Sequence, residues 1–394
     1  VAGERTSGGS QTSLREANRA RIVSAVQHRG SITQIELAGV TGLSTATISN
    51  IVKELVAAGV LQTTPTSRSG RRAQEVSLAR NLGLVAGVHV GEREMRVALA
   101  DVALKVVAEQ RLPLPPGHRA DSGLDRAALL IEELVETVGA PIGEVLAIGV
   151  GIPAPVDTRT GRVTAPRILA GWAEADVPAV LGDRLGLPVL VDNDSNLGAL
   201  AEARLGIGRG LSDLLWVGLG HGIGMGVVVD GAVVHGRRGA AGEIGHVLDV
   251  EDGSTCRCGL RGCLEGSIGS AALAARLATT HGHLALRDIV GRALAGDAAC
   301  GRVVGDAGRR LGRALSTAVT VLDPDVVVID GDLAGAGEVL LGPLRTELEA
   351  RAVPAEGGPV RVEVSGLGGA ARVRGALVLA LDAHRVGVPI GSLT

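Results

Sequence analysis

The texture of this 394-residue chain changes at about residue 82, and that change limits what it can fold into. Before it lie three closely spaced helical patterns and two strand-like segments. After it, short Val/Ile/Leu/Ala segments, Gly-rich turns and intervening helices alternate, the signature of an α/β domain. A chain of this length needs two or three separately buried cores.

In the first helical pattern Ile22, Ala25 and Val26 share a face and Gly30 is positioned to stop the helix. In the second, Thr33 and Glu36 have capping-box spacing. The third runs from Ser44, a good N-cap, to about Ala58. Its Ile48, Ile51, Val52, Leu55 and Val56 make one buried stripe, which turns Ala46, Asn50 and Lys53 outward. Thr41-Gly42-Leu43 is the short joint of a helix-turn-helix. Beyond it, Val60–Gln62 and Glu75–Leu78 flank a basic tip at residues 66–72, which predicts a hairpin wing. Residues 1–12, rich in Gly, Ser and Thr, are expected to be a disordered lead-in, and residues 13–80 the winged helix-turn-helix.

Such a unit reads double-stranded DNA by presenting short polar groups to the major groove while basic and hydroxyl side chains hold phosphates. Ser44, Thr45, Thr47, Ser49, Asn50 and Lys53 fit that combined requirement, and Arg68, Arg71 and Arg72 of the wing can reach phosphates or an adjacent minor groove. A trihelical unit that binds protein is the alternative. Charge leans towards DNA: residues 1–80 hold ten Lys and Arg against five Asp and Glu, and the remainder 29 against 37. With no Phe, no Tyr and two Trp, the chain has few aromatic platforms for stacking single-stranded bases. The longest apolar stretch, Val145 to Val156, is interrupted by Gly149, Gly151, Pro153 and Pro155 and is too short to cross a bilayer. With no leader-like pattern at the start, a cytoplasmic protein is expected.

In the α/β region, strands are predicted at Val145–Val150, Pro188–Val191, Leu214–Val217 and Val326–Ile329, with a two-residue hairpin at Asp230-Gly231. Three of the four cysteines lie within eight residues, and with a preceding histidine they read His246-x9-Cys256-x-Cys258-x4-Cys263. Four soft N/S ligands with Gly259 and Gly262 between them suit one tetrahedral, structural Zn²⁺ per chain. A disulfide is the alternative, disfavoured in a reducing compartment. Cys300 stands apart and is expected to be a core thiol.

Five segments together resemble the ROK family (repressors, open reading frames, kinases): Gly149–Asp157 (GVGIPAPVD), Val191–Asn196 (VDNDSN), Gly218–Gly226 (GLGHGIGMG), Gly242–His246 (GEIGH) and Cys256–Glu265 (CRCGLRGCLE). The resemblance implies an actin-like, ribonuclease-H-like pair of α/β lobes with a sugar in the cleft, usually in a homodimer or homotetramer. The first lobe would comprise residues 81–193 and about 375–394, and the second, with the zinc site, residues 194–374. By the same resemblance Asn193, Asp194, Glu243, His246 and Glu265 would contact the sugar, and Asp194 would be the base in kinase members. His246 would use one ring nitrogen for zinc and the other for the sugar. Taken singly, Asp194 and Asn196 also fit turn and helix-cap roles, and Glu243 a solvated loop.

Kinase members open the domain with an Asp-x-Gly-Gly-Thr loop, where this chain has His89-Val90-Gly91-Glu92-Arg93. His221 and Met225 replace further nucleotide-loop residues, and the adenosine segment reads Ile329-Asp330-Gly331-Asp332. Phosphoryl transfer depends on holding phosphates and Mg²⁺, so these departures favour a non-catalytic, sugar-responsive regulator bound to a palindromic operator. The alternatives are a hexose kinase carrying a DNA module, and a regulator controlled by a partner protein. Arg167, ahead of the sugar loop, is a candidate for a phosphate or a plain surface residue.

Overall fold

A computed structural model describes residues 9–68, 71–353 and 357–384, except for the side chains of residues 9–13, 67, 68, 71 and 72. The head consists of α1 (Gly9–Arg29), β1 (Ser31–Thr33), α2 (Gln34–Thr41), α3 (Thr45–Ala57), β2 (Leu61–Arg68) and β3 (Arg71–Leu78). Its three strands pair in the order β1-β3-β2. The expected lead-in is shorter than 1–12: α1 already begins at Gly9, because nothing in Gly-Ser-Gln-Thr breaks the helix that Leu14–Arg29 propagates. Residues 1–8 of that expectation lie outside the described residues, as do 385–394 of the expected first lobe.

Local chemistry sets the joint. Thr33 accepts from the Glu36 backbone N–H at 3.3 Å and Glu36 returns a bond to the Thr33 backbone N–H at 2.9 Å, closing the capping box. Gly42 ends α2 at φ 68° and Ser44 caps α3 by accepting from Thr47 N–H at 3.1 Å. Ile48, Ile51, Val52 and Leu55 are buried, but Val56 is 37% exposed. Eight residues of a 3.6-residue repeat carry position 56 about 80° past Ile48, off the buried face.

The first lobe holds β4 (Leu84–Val90), β5 (Glu94–Asp101), β6 (Val106–Pro113), α4 (Ala120–Thr137), β7 (Val145–Ile152), the short pair β8 (Val156–Asp157) and β9 (Arg162–Val163), α5 (Val177–Leu185) and β10 (Val189–Asn193). Its sheet runs β10-β7-β4-β5-β6, with β4, β7 and β10 parallel and β5 and β6 antiparallel. Helix α6 (Asp194–Leu205) then crosses to the second lobe.

That lobe holds β11 (Leu214–Leu219), β12 (Ile223–Val229), β13 (Ala232–Val233), α7 (Leu264–Ile268), α8 (Ser270–His281), α9 (Leu286–Leu294), α10 (Ala298–Leu322), β14 (Val326–Asp330), α11 (Glu338–Glu349) and β15 (Arg361–Val364). Its sheet runs β13-β12-β11-β14-β15. Asp230 and Gly231 take φ 51° and 74°, the left-handed pair that a two-residue hairpin requires. Cys300 is wholly buried in the second-lobe core.

The last helix, α12 (Ala371–Ala383), packs back on the first sheet. Its Val373, Leu377, Val378 and Leu381 join Ile22 and Val26 of the head and Val85 and Ala98 of the first lobe in one apolar cluster. Among the described residues no single helix is long and apolar enough to cross a membrane. The one bent pair with the composition for it, α2 and α3 at 113°, is the helix-turn-helix itself.

Candidate functional site

A cleft of about 620 Å³ opens between the lobes, lined by residues from the β4–β5 loop, the start of α6, the Gly220–Gly224 turn, the zinc-like loop and the start of α12. It brings together all five expected sugar contacts, Asn193, Asp194, Glu243, His246 and Glu265. Asn193 caps α6, its side-chain oxygen accepting from Ser195 N–H at 2.8 Å and Asn196 N–H at 3.4 Å. The cap role that Asp194 and Asn196 also fitted in the sequence therefore belongs to Asn193, and Asn196 instead donates to Asp192 at 2.9 Å.

Asp194 is the most constrained group in the cleft. Burial alone would raise its pKa, but the Arg372 guanidinium at 3.0 Å and His89 at 3.4 Å outweigh it and hold the carboxyl at about 2. Glu243 goes the other way: burial, and the nearby Asp194 and Glu265 charges, push it up to about 7. Glu265 accepts from Ile223 N–H at 2.9 Å and from Arg257 in bidentate fashion at 2.8 and 3.0 Å. Arg257 also pairs with Glu92 of the opposite lobe. This trio sits directly over the Gly220–Gly224 turn: a Cβ on Gly222 would fall 2.6 Å from Arg257 Nη2 and 2.9 Å from Glu265 Oε2.

Beside the cleft, one ligand atom each of His246, Cys256, Cys258 and Cys263 lies within 4.8 Å of the others. The loop folds back through Cys256 N–H to Leu260 C=O at 2.7 Å and an isolated bridge between Leu248 and Cys263. His246 Nδ1 faces Cys256 Sγ at 3.5 Å, while its Nε2 faces Glu243 at 3.7 Å on the cleft side. Burial and the two neighbouring thiols push Cys263 up to about 12, a crowding that a divalent cation relieves by taking thiolates as ligands. The donor set therefore fits Zn²⁺.

In the head, Ser44, Thr45, Asn50 and Lys53 are exposed, with Thr47 and Ser49 half-buried. Ser44 and Thr47 hydroxyls bond each other at 2.8 Å, so both are engaged within the first turn of α3. A groove of about 570 Å³ lined by Ser49, Lys53, Thr63 and Gln74 separates α3 from the hairpin. Strands β2 and β3 carry Arg68 opposite Arg71, but the expected phosphate contacts of Arg68, Arg71 and Arg72 lie outside the described side chains.

Sequence reasoning missed Arg372, Arg257, and the Asp192–His235 pair at 2.7 Å. Arg257 carried a usable signal, since it stands between two expected metal ligands. Arg372 carried none, being 178 residues from the carboxylate that it neutralises. Arg167 does not line the cleft. Its Nη1 would be 2.5 Å from a Cβ on Gly259, which places its guanidinium over the metal loop.

Two α/β lobes, a cleft lined by carboxylates beside a Cys/His loop, and a winged head define the class. The chain matches the ROK family over residues 85–383 and the winged helix-turn-helix DNA-binding family over residues 15–62, and it belongs to the ROK family. It is 28% identical to the DNA-binding transcriptional dual regulator NagC of Escherichia coli over 87% of each chain. It is 32% identical to a glucokinase of Halalkalibacterium halodurans over 71% of this chain and 90% of that one. A solved ROK family transcriptional regulator, described as a homologue of the E. coli MLC protein, superposes at TM-score 0.73 with 25% identity, over 95% of this chain and 99% of that one.

Proposed function

We propose that this chain is a sugar-responsive transcription regulator of the repressor type, whose head binds double-stranded operator DNA and whose cleft binds a sugar or sugar phosphate. One observation carries the reading: the cleft gathers Asn193, Asp194, Glu243, His246 and Glu265 in a chain with a winged helix-turn-helix head, while Arg257, Glu265 and Glu92 crowd the Gly222 turn. Over Gly222 lie Arg257, Glu265 and Glu92, where a nucleotide's phosphates need open backbone N–H groups. Asp194, paired with Arg372 and His89, is held as a carboxylate and serves as an acceptor for a sugar hydroxyl. A polyol suits this ring, since carboxylates accept from hydroxyls while imidazole nitrogen and amide groups complete the pattern.

Zn²⁺ in the His246, Cys256, Cys258 and Cys263 set is structural in this reading. With four protein ligands it leaves no open position for water, and it fixes the loop that bears Glu265 and, through His246, the cleft edge. Two heads of a homo-oligomer reach two half-sites of a palindromic operator. The regulated genes belong to carbohydrate metabolism or transport, in keeping with the xylose and N-acetylglucosamine repressors among the chain's relatives.

The test is a thermal-shift screen of D-glucose, D-xylose, N-acetyl-D-glucosamine and their phosphates. A ligand that binds the native state raises the melting temperature. A hit is expected to alter binding to DNA from the gene's own upstream region and to vanish in Glu243→Ala; a hit unaffected by that change places the sugar elsewhere. With ATP and Mg²⁺ the same sugars are expected to give no phosphorylation above the no-protein control. Turnover that Asp194→Ala abolishes would make the chain a kinase with a DNA module. Absence of any sugar hit, with DNA binding intact, would favour control by a partner protein.

A further inference from the structure

The two helices that begin at the cleft both end at the head. Asp194 opens α6 and Arg372 stands at the start of α12, and the two side chains pair at 3.0 Å. At the other end Arg204 of α6 donates to Asp382 of α12 at 2.7 Å and to the backbone C=O of His28 in the head. Gln27 of the head donates to the C=O groups of Leu381 and His384 at 2.8 and 2.6 Å, and Arg209, just past α6, donates to Ser31 C=O at 2.9 Å. The two helices thus run parallel, about 18 to 20 Å long at 1.5 Å per residue, with a charged pair at each end.

Each helix is pressed into a different lobe. A Cβ on Gly226 of β12 would fall 2.3 Å from Ser195 C=O, and one on Gly198 of α6 would fall 2.6 Å from the Trp216 ring of β11, so α6 is bedded in the second sheet. A Cβ on Gly149 of β7 would fall 2.0 Å from Ala376 C=O, and one on Gly87 of β4 2.8 Å from Val373 C=O, so α12 is bedded in the first. The helices touch each other backbone to backbone where Gly375 meets Leu197 C=O, at 1.9 Å from its would-be Cβ. Packed interfaces of this kind slide between discrete arrangements and do not deform continuously.

We propose that α6 and α12 are the signal path of the regulator: rotation of one lobe against the other shears α6 along α12, and the head, bolted across both C-terminal ends, is turned by that shear. Arg204 and Asp382 at the head end, and Arg372 at the cleft wall where it pairs with Asp194, are then positioning residues. The inference rests on the regulator reading, but its test uses no sugar and no operator.

The experiment is hydrogen exchange by mass spectrometry on the full chain. Arg372→Met, at the cleft end, is expected to speed amide exchange in residues 22–33 of the head about fivefold or more, the lower end of ordinary allosteric coupling, while β14 keeps its protection. Arg372→Lys is expected to restore most of it, and the exposed Arg292→Ala on α9 to leave the head unchanged. In a background of Arg204→Met with Asp382→Asn, which unbolts the head, Arg372→Met is expected to add nothing. The proposal is overturned if Arg372→Met leaves the head's exchange at wild-type rates, if head and β14 speed up equally, or if the cleft-end and head-end effects multiply as independent changes do. A chain that binds none of the sugars screened would sink the sensor reading and leave this cycle readable.

Discussion

Cys258→Ser is expected to abolish binding of one equivalent of Zn²⁺, lower the melting temperature by about 5 °C or more, and remove sugar binding altogether. The reason is shared geometry. His246 turns one nitrogen to the cysteines and the other to Glu243, and Arg257, held between Cys256 and Cys258, carries Glu265. Without the cation three thiols crowd one another and the loop loses the cross-link that fixes Arg257. Metal analysis together with a thermal-shift titration checks this on the variant and on chelator-treated wild type. Sugar affinity that survives in metal-free protein would mean that the loop's backbone alone holds its shape.

Asn50→Ala is expected to lower operator affinity about tenfold or more while leaving the melting temperature unmoved. Asn50 is exposed on α3, away from the Ile48, Ile51, Val52 and Leu55 stripe, so its removal takes nothing from the core. An amide on this face can pair with adenine in bidentate fashion, and the loss is then confined to sequences carrying that base. Lys53→Ala makes the contrast: it is expected to weaken binding to all sequences alike and to reduce the salt slope by about one. Gel-shift titrations on the operator and on scrambled DNA separate the two. Equal affinity of Asn50→Ala and wild type for the operator would show that another element faces the groove.

What was legible in the sequence was what local chemistry dictates. The capping box at Thr33 and Glu36, the Ser44 cap, the Asp230-Gly231 turn and the apolar stripe of α3 all follow from residues within one or two turns of each other. Strand edges were read short: the strand expected at Leu214–Val217 extends to Leu219, and the hairpin arms reach Arg68 and Arg71, because ladder bonds from β14, β12 and β3 recruit residues with little strand propensity of their own. The three-residue β1, Ser31-Ile32-Thr33, was missed because it is too short to show an alternating pattern. In the cleft, the family's motifs located the carboxylates, but their ion partners Arg372, His89 and Arg257 are ones that only the folded chain brings near. The passage of α6 and α12 from cleft to head is a property of packing, and no local pattern announces it.

The trio over Gly222 also constrains what this chain could become. A glycine at position 92 would strip Arg257 of one neutralising partner and leave its guanidinium still over the Gly222 turn. Removing Arg257 first would leave Glu92, Glu265 and Glu243 facing one another across a narrow cleft. Neither Glu92 nor Arg257 can therefore be exchanged alone without unbalancing the charge around Glu265, and the three side chains have to change together.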